Sequence, residues 1–416
     1  MKYIYSAGLW FYYLGILIAS FFNPKARLWI RGRKDVFRQL QEKVKNDPLI
    51  WIHAASLGEF EQGRPVMEEI RRRYPAYKIL LTFFSPSGYE IRKHYNGADY
   101  VFYLPRDTRR NAAHFVNLVK PAMAIFVKYE FWYHYIHQLS KSNIPVYLIS
   151  GIFRPDQVFF RWYGSWFRKI LFFFTHLFVQ TEESLKLLHR IKVNHATQAG
   201  DTRFDRVLQI ASAIREIPVA SAFKGGIPCL IAGSTWPDDE KFLLQYINET
   251  KNQAKFIIAP HEVQEEHIQR ITGQLKKSYV RFSQAEESNV NDFQVLIIDN
   301  IGMLSSLYRY GDVAYIGGGF GKGIHNVLEA ATFGLPVIFG PRYKKFSEAV
   351  ELVQLGGACS FSVMEDLANR LDHWLEDSEG RSKMGKISRD FVHRSAGATE
   401  IILNRIFPEQ SQQRHL

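Results

Sequence analysis

The chain has only two cysteines in 416 residues, Cys229 and Cys359. They lie far apart in apolar stretches. No disulfide framework is expected, and both read as reduced core residues of a cytosolic compartment. No Cys/His spacing suits zinc. No run of Lys and Arg is interleaved with stacking aromatics, which argues against a nucleic-acid module and a nucleic-acid partner. The Walker A pattern and a full dinucleotide fingerprint are both missing, so neither chemistry is claimed. No Asp-x-Asp pair stands ready to share a divalent cation, and no metal is expected.

What is present begins with charge and rings. Lys and Arg exceed Asp and Glu by 12, and the pI is near 9.4. Such a field favours anionic partners: acidic lipid headgroups or phosphorylated substrates. Aromatics make up 15% of the chain, with 32 Phe and 21 Tyr. Residues 3–22 carry no charge and include Leu9, Trp10, Phe11, Leu14, Ile16, Leu17, Ile18, Phe21 and Phe22. About twenty apolar residues can span a bilayer, and aromatics suit the headgroup boundary. Lys25, Arg27, Arg31, Arg33, Lys34 and Arg38 follow, whereas only Lys2 precedes. The positive-inside rule then predicts an N-terminal anchor, residues 1–35 with the basic flank, and a protein body on the cytoplasmic side. The pattern fits both a span and an interfacial helix.

From residue 49 onward, short β-rich runs alternate with helical stretches, the signature of a parallel sheet with helices on its faces. The first half places strands at 49–53, 78–84, 99–104, 123–127, 146–150 and 177–180. Residues 153–175 read as one aromatic and basic helix, facing a membrane surface or an acylated anionic substrate, or else packed on the sheet. Residues 210–228, with little periodicity and two prolines, read as a linker. The alternation then restarts, with strands at 229–232, 255–259, 279–282, 295–298, 313–316, 336–339 and 358–361. Helices near 363–375 and 381–405 close the chain. The expected organisation is two Rossmann-like domains, 36–209 and 229–395, facing a central cleft. A C-terminal helix and polar tail occupy 396–416.

Several strand ends carry candidate chemistry. After the strand ending at His53, Ser56 and Gly58 break the run and a helix starts near Glu59. This is the sheet edge where open α/β sheets put ligands. Taken alone, Glu59 or Glu61 merely complements the helix dipole. Glu130 follows the strand 123–127. Arg203, within Gly200–Asp205, is either a cationic clamp or the partner of Asp201 or Asp205. In the second half, Gly317-Gly318-Gly319-Phe320-Gly321-Lys322-Gly323 follows a strand and is expected to open a helix bearing His325, Asn326, Val327, Leu328 and Glu329. Such a turn favours phosphate binding through backbone N–H groups. Ser234 or Thr235 is expected to cap the helix that starts near Pro237. Pro260-His261 and Ile301-Gly302-Met303 stand at two further strand ends.

Together these residues carry a resemblance. His53-x-x-Ser56-x-Gly58-Glu59, Glu130-Phe131-Trp132, Gly200-Asp201-Thr202-Arg203-Phe204-Asp205, Gly233-Ser234-Thr235, Pro260-His261-Glu262 and His325-Asn326-x-Leu328-Glu329 resemble the 3-deoxy-D-manno-octulosonic acid (Kdo) transferases. These are inverting GT-B glycosyltransferases of lipopolysaccharide inner-core assembly. The likeness runs in order over nearly the whole chain. It implies transfer of Kdo from CMP-Kdo to the 6′ hydroxyl of lipid IVA at the cytoplasmic face of the inner membrane, among anionic lipids. By the same resemblance Glu59 is the general base, and Glu130 and Arg203 stabilise the transition state. Ser56 and Gly58 lie on the acceptor side. Ser234, Thr235, Pro260, His261, Ile301, Gly302, Met303, Gly318, Gly319, His325, Asn326, Val327, Leu328 and Glu329 are then expected at the donor. The family commonly has Lys where this chain has Arg203, which keeps the charge and changes the geometry. Val327 replaces a frequent Pro. Two other readings are weighed: a GT-B transferase using a UDP-sugar and a lipid acceptor, and a catalytically silent membrane-anchored nucleotide-sugar binding protein.

Overall fold

A strand buried at every position needs cover on both faces of its sheet, which is the condition of parallel α/β sheets. β1 (Leu49–Ala54) is buried at all six positions. The computed structural model describes residues 2–45, 47–213 and 216–408, and its contacts divide them into two units. One takes the described residues of Met1–Arg206 and Ala396–Leu416; the other is Val207–Ser395.

The first unit continues with β2 (Lys78–Phe83), β3 (Tyr100–Tyr103), β4 (Met123–Val127), β5 (Val146–Gly151), β6 (His176–Val179) and β7 (Ala196–Gln198). The strands are parallel and ordered β3-β2-β1-β4-β5-β6-β7. The order reverses between β1 and β4, which makes their carboxyl ends the switch point of the sheet. Alternate residues of each strand feed two cores. Trp51, Phe126 and Leu148 pack on one face; Ile50, Ile125 and Ile149 pack on the other.

The second unit repeats the plan with β8 (Cys229–Thr235), β9 (Lys255–Pro260), β10 (Tyr279–Arg281), β11 (Val295–Ile297), β12 (Val313–Ile316), β13 (Val337–Phe339) and β14 (Ala358–Ser360). Its order is β10-β11-β9-β8-β12-β13-β14, with the switch between β8 and β12. The expected two Rossmann-like halves are therefore present. The three-residue β7 escaped the sequence pattern because it is too short and too polar to register.

Several expected elements differ. The uncharged N-terminal stretch forms a helix over Lys2–Ala19. Among the described residues no helix is long and apolar enough to cross a membrane. Residues 153–175 do not form one helix. Two 3₁₀ turns, Val158–Phe160 and Trp162–Gly164, precede a short helix, Ser165–Leu171. Phe159, Ile170, Leu171 and Phe174 are core residues, while Trp162 and Tyr163 are exposed. Arg168 donates to the Phe159 carbonyl at 2.7 Å, which stops it from lining up with the other basic groups. The stretch read as a linker contains a helix, Pro218–Lys224, that buries Ala220 and Phe223; residues 214–215 of that stretch lie outside the described residues, as does the tail 409–416. The single helix expected at 381–405 is two, Ser378–Ser395 and Ala398–Ile406, parted at Gly397 with φ 108°.

The last helix packs on the first unit. Ile402, Leu403 and Ile406 join the core of Ile50 and Ile79, and Phe407 stacks on Tyr74 at 3.8 Å. Asp205 fastens it by accepting from the backbone N–H of Gly397 at 2.6 Å and of Thr399 at 2.7 Å, and from the Thr399 hydroxyl at 2.7 Å. Asp205→Ala strands three donors at a helix start. We expect a loss of about 2 kcal/mol, the upper range of an N-cap deletion, read as a lower denaturant midpoint with an unchanged m-value. An unaltered midpoint refutes the latch.

Candidate active site

The first unit gathers its polar groups at the ends of β1 and β4. Ser56 is extended (φ −136°, ψ 173°) and caps the helix Leu57–Arg73. Glu59 closes a capping box, its Oε2 accepting from the Ser56 N–H at 3.0 Å. The dipole-complementing role expected of Glu59 is thus real. It leaves Glu59 half-buried and pointing back over the strand end. A Cβ built on Gly58 would meet nothing within 4 Å, so the glycine keeps this edge uncrowded rather than relieving a clash.

Glu130 is buried, and two side chains hold it. His53 Nε2 lies 3.1 Å from Glu130 Oε2, and the Trp132 indole N–H donates to the same oxygen at 2.5 Å. His53 is itself fully buried. Its Nδ1 lies 2.9 Å from Thr82 Oγ1 and 3.1 Å from the Thr82 carbonyl. Parallel register explains the meeting, because His53 pairs with Thr82 on β2 and with Phe126 on β4. A carboxylate confined in this way acts on its neighbours through its field.

That field reaches Glu59. Burial pushes the Glu59 carboxyl above its ordinary value, and the like charge of Glu130 pushes it further. His53, the Ser56 amide and Lys128 pull it back. Lys128 follows β4 in the left-handed region (φ 67°). Such a backbone is uncommon for lysine and is often found at functional edges. Burial, then Arg203, lowers its ammonium group. Arg203 is engaged by Asp201, to which its backbone N–H (2.9 Å) and Nε–H (2.8 Å) donate, with Nη2 at 2.7 Å. Of the two readings weighed for Arg203, the partnership with Asp201 is therefore present, and Asp205 is occupied elsewhere. Sequence reasoning overlooked Lys128, Thr82 and the holding role of Trp132. Lys128 had a usable signal in its place directly after a buried strand. Thr82 and Trp132 had none, because their roles depend on inter-strand register and a side-chain turn.

In the second unit the polar groups collect at the ends of β8, β9 and β12. Ser234 sits at φ 54°, in a register shift of β8 against β9. It does not cap the following helix, and neither does Thr235, whose hydroxyl donates to the buried Glu240 at 3.0 Å. Trp236 is the N-cap residue, and its backbone N–H donates to Asp239 at 3.0 Å. The Trp236 ring stacks on His261 at 4.4 Å, and its indole N–H donates to His325 Nε2 at 2.9 Å. His261 and His325 are 4.6 Å apart. Pro260 ends β9 beside them. Burial, then His261, lowers the His325 ring below its usual value.

The glycine-rich turn is used differently from the expectation. The Gly317 N–H donates to Gly233, Gly318 N–H to Asp239, and Gly321 and Gly323 N–H to the Gly318 carbonyl. These amides hold the loop and are not presented as a phosphate cradle. The helix does not start at the turn; it covers Leu328–Thr332. Glycine at 317 is required by space, because a Cβ there would lie 2.1 Å from the Ser234 carbonyl oxygen. Gly319 approaches the Gly340 backbone in the same way. Further along, Asn326 Nδ2–H donates to Glu329 Oε1 at 3.0 Å, and the Ser305 hydroxyl donates to Glu329 Oε2 at 2.5 Å. Ser305 follows the exposed Ile301 and Gly302 and the half-buried Met303, so these loops converge on Glu329. Val327 and Leu328 are buried core residues. Among the described residues no group of three or more His, Cys, Asp or Glu is arranged for a metal.

Two parallel-sheet Rossmann-like units, each with its polar groups at the switch edge, give the chain a GT-B-like fold. A solved glycosyltransferase from Rickettsia africae shares the fold, with a TM-score of 0.54, 10% identity, and coverage of 88% of this chain and 98% of that one. A family profile described as 3-Deoxy-D-manno-octulosonic-acid transferase (kdotransferase) matches residues 30–206. A 3-deoxy-D-manno-octulosonic acid transferase from Rickettsia bellii is 28% identical over 366 residues, 85% of each chain. One from Haemophilus influenzae is 25% identical over 377 residues, 86% of each chain. The likeness to Kdo transferases thus runs over most of the chain, at 25–28% identity.

If Glu130 raises Glu59, Glu130→Gln must lower it. We expect the Glu59 carboxyl carbon, followed by NMR titration, to move down toward the ordinary value of about 4.3. An unmoved titration assigns the whole elevation to burial.

Proposed function

We propose that the chain transfers Kdo from CMP-Kdo to the 6′ hydroxyl of lipid IVA, with Glu59 as general base. The observation that carries the reading is Glu59 itself. It is an acid in the family-matched segment, half-buried at a switch point, beside a second carboxylate that raises it. A base for a sugar hydroxyl gains from a value nearer working pH.

In this reading the Glu59 carboxylate takes the proton of the acceptor hydroxyl. The oxygen attacks the anomeric carbon from the face opposite the phosphate, the bond to phosphate breaks, and CMP leaves with the electron pair. The anomeric centre inverts. Glu130, fixed by His53 and Trp132, keeps Glu59 basic and favours positive charge developing on the sugar. Arg203, oriented by Asp201, and Lys128 offer the cationic counterpart for the donor's carboxylate and phosphate. CMP falls to the second unit: its base beside the Trp236–His261 stack and the exposed Ile301–Met303 turn, its ribose on Glu329 and Asn326. Ser234, Thr235, Gly318 and Gly319 shape the floor. No metal is assigned a role, since the side chains above supply the charge.

Association with the cytoplasmic face of an inner membrane belongs to the same proposal. Trp10, Phe11, Phe21 and Phe22 are more than half exposed, and basic residues follow them in sequence. An aromatic surface beside cations suits an anionic bilayer interface.

Incubation of the protein with CMP-Kdo and lipid IVA, with mass analysis, is expected to yield a Kdo-bearing lipid. Product with a UDP-sugar instead of CMP-Kdo overturns the donor. Glu59→Ala is expected to reduce transfer by at least about 10²-fold, within the range of a general base, while CMP binding by calorimetry stays unchanged. Near wild-type transfer by that variant removes Glu59 from the role. Phe21→Ala/Phe22→Ala is expected to weaken co-sedimentation with anionic vesicles by about tenfold or more, the burial of two Phe side chains being at stake. Undiminished sedimentation places the membrane contact elsewhere.

A further inference from the structure

The N-terminal helix Lys2–Ala19 does not simply project. Tyr5 donates to the buried Asp107 at 2.6 Å, and Tyr13 lies under the Arg106 guanidinium at 3.9 Å. Between helix and body these contacts leave a cavity of about 380 Å³, walled by Leu9, Trp10, Tyr13, Trp29, Phe84 and Trp132. That volume is in the range of small-ligand sites. The wall is apolar and its rim is cationic: Arg106, Arg109 and Arg110 border it, and all three are exposed. The one carboxylate in the wall, Asp107, is taken by Tyr5 and by the His134 and Tyr135 amides. Burial pushes it up to about 6, and the three donors that hold it offset the charge it turns toward the cavity. A second hollow shares Arg106, Thr108 and Arg110 and adds His114. At the inner end, Trp132 stacks on Phe84 at 4.7 Å and bonds Glu130. A ligand seated against Trp132 therefore lies one side chain away from Glu130.

We propose that this cavity holds one fatty-acyl chain of the acceptor, and that Arg106, Arg109 and Arg110 hold the acceptor's phosphate. An apolar channel rimmed by guanidinium groups matches a molecule that joins an acyl chain to a phosphate through a sugar. The inference rests on the lipid-acceptor reading and adds the place where the lipid is recognised.

Two variants separate the two halves of the site. Leu9→Trp fills the cavity; Arg110→Glu reverses the rim on an exposed side chain that the fold does not need. Transfer kinetics are compared with the acylated acceptor, a deacylated phosphorylated acceptor and a dephosphorylated acylated acceptor. Leu9→Trp is expected to raise KM for both acylated acceptors about tenfold, with kcat and the deacylated acceptor unchanged. Arg110→Glu is expected to raise KM about tenfold for both phosphorylated acceptors, and to leave the dephosphorylated one unchanged. A wild type active on the lipid, with Arg110→Glu retaining wild-type KM values, overturns the pocket alone. A wild type that transfers Kdo only to non-lipid acceptors overturns the acceptor reading.

Discussion

The constraint beneath this structure is that a parallel sheet must be buried on both faces. Strands that satisfy it all run the same way, so all of their carboxyl ends emerge on one edge. Each unit then has a switch point beside its first strand, β1 or β8, where the connecting chains part and leave space. Glu59 and Glu130 follow the two strands flanking that point in the first unit. Trp236 and the glycine-rich turn follow the two flanking it in the second. Within each unit the polar groups meet because of topology, although they are far apart in sequence.

At the first edge the arrangement is electrostatic. A buried carboxylate is costly unless it is hydrogen-bonded. Glu130 meets that cost with His53 and Trp132, and His53 is in turn seated on Thr82. The outcome is a fixed negative charge next to Glu59, which burial already disfavours as an anion. Lys128 and Arg203 balance the pair without neutralising it directly, since Arg203 is held by Asp201. At the second edge the arrangement is steric. Gly317 and Gly319 let backbones approach where a side chain would clash, and the amides of Gly317, Gly318, Gly321 and Gly323 are engaged within the protein. The exposed polar and aromatic surface there comes from Trp236, His261, His325, Asn326 and Glu329.

The N-terminal segment shows how composition and conformation can diverge. Twenty uncharged residues suggested a span, yet the segment forms an 18-residue helix pinned to the body by Tyr5. The rich aromatic content of residues 153–175 suited a lipid surface as well as the sheet, and Phe153, Phe159 and Phe174 enter the core while Phe160, Trp166, Phe167 and Phe173 pack against it. Hydrophobicity alone left the partner of both stretches open, because a ring packed on protein and a ring facing lipid satisfy the same pattern.

The sequence by itself determined the class of fold and the strand ends that matter. Thirteen of the fourteen strands among the described residues were legible, since a buried parallel strand writes itself as a short β-branched and aromatic run. Glu59 was legible as a helix-start acid, and the motifs around it as those of a family. Only the tertiary structure decided what surrounds each group. The clamp on Glu130 needs β1, β2 and β4 in register. The capture of Arg203 by Asp201 needs a particular turn. The consumption of the glycine-rich amides needs Asp239 from another element. His53 with Glu130 and Gly318 with Asp239 are contacts between residues distant in sequence, set by packing geometry, whereas Asp201 lay close enough to Arg203 for the sequence to offer it as one of two partners.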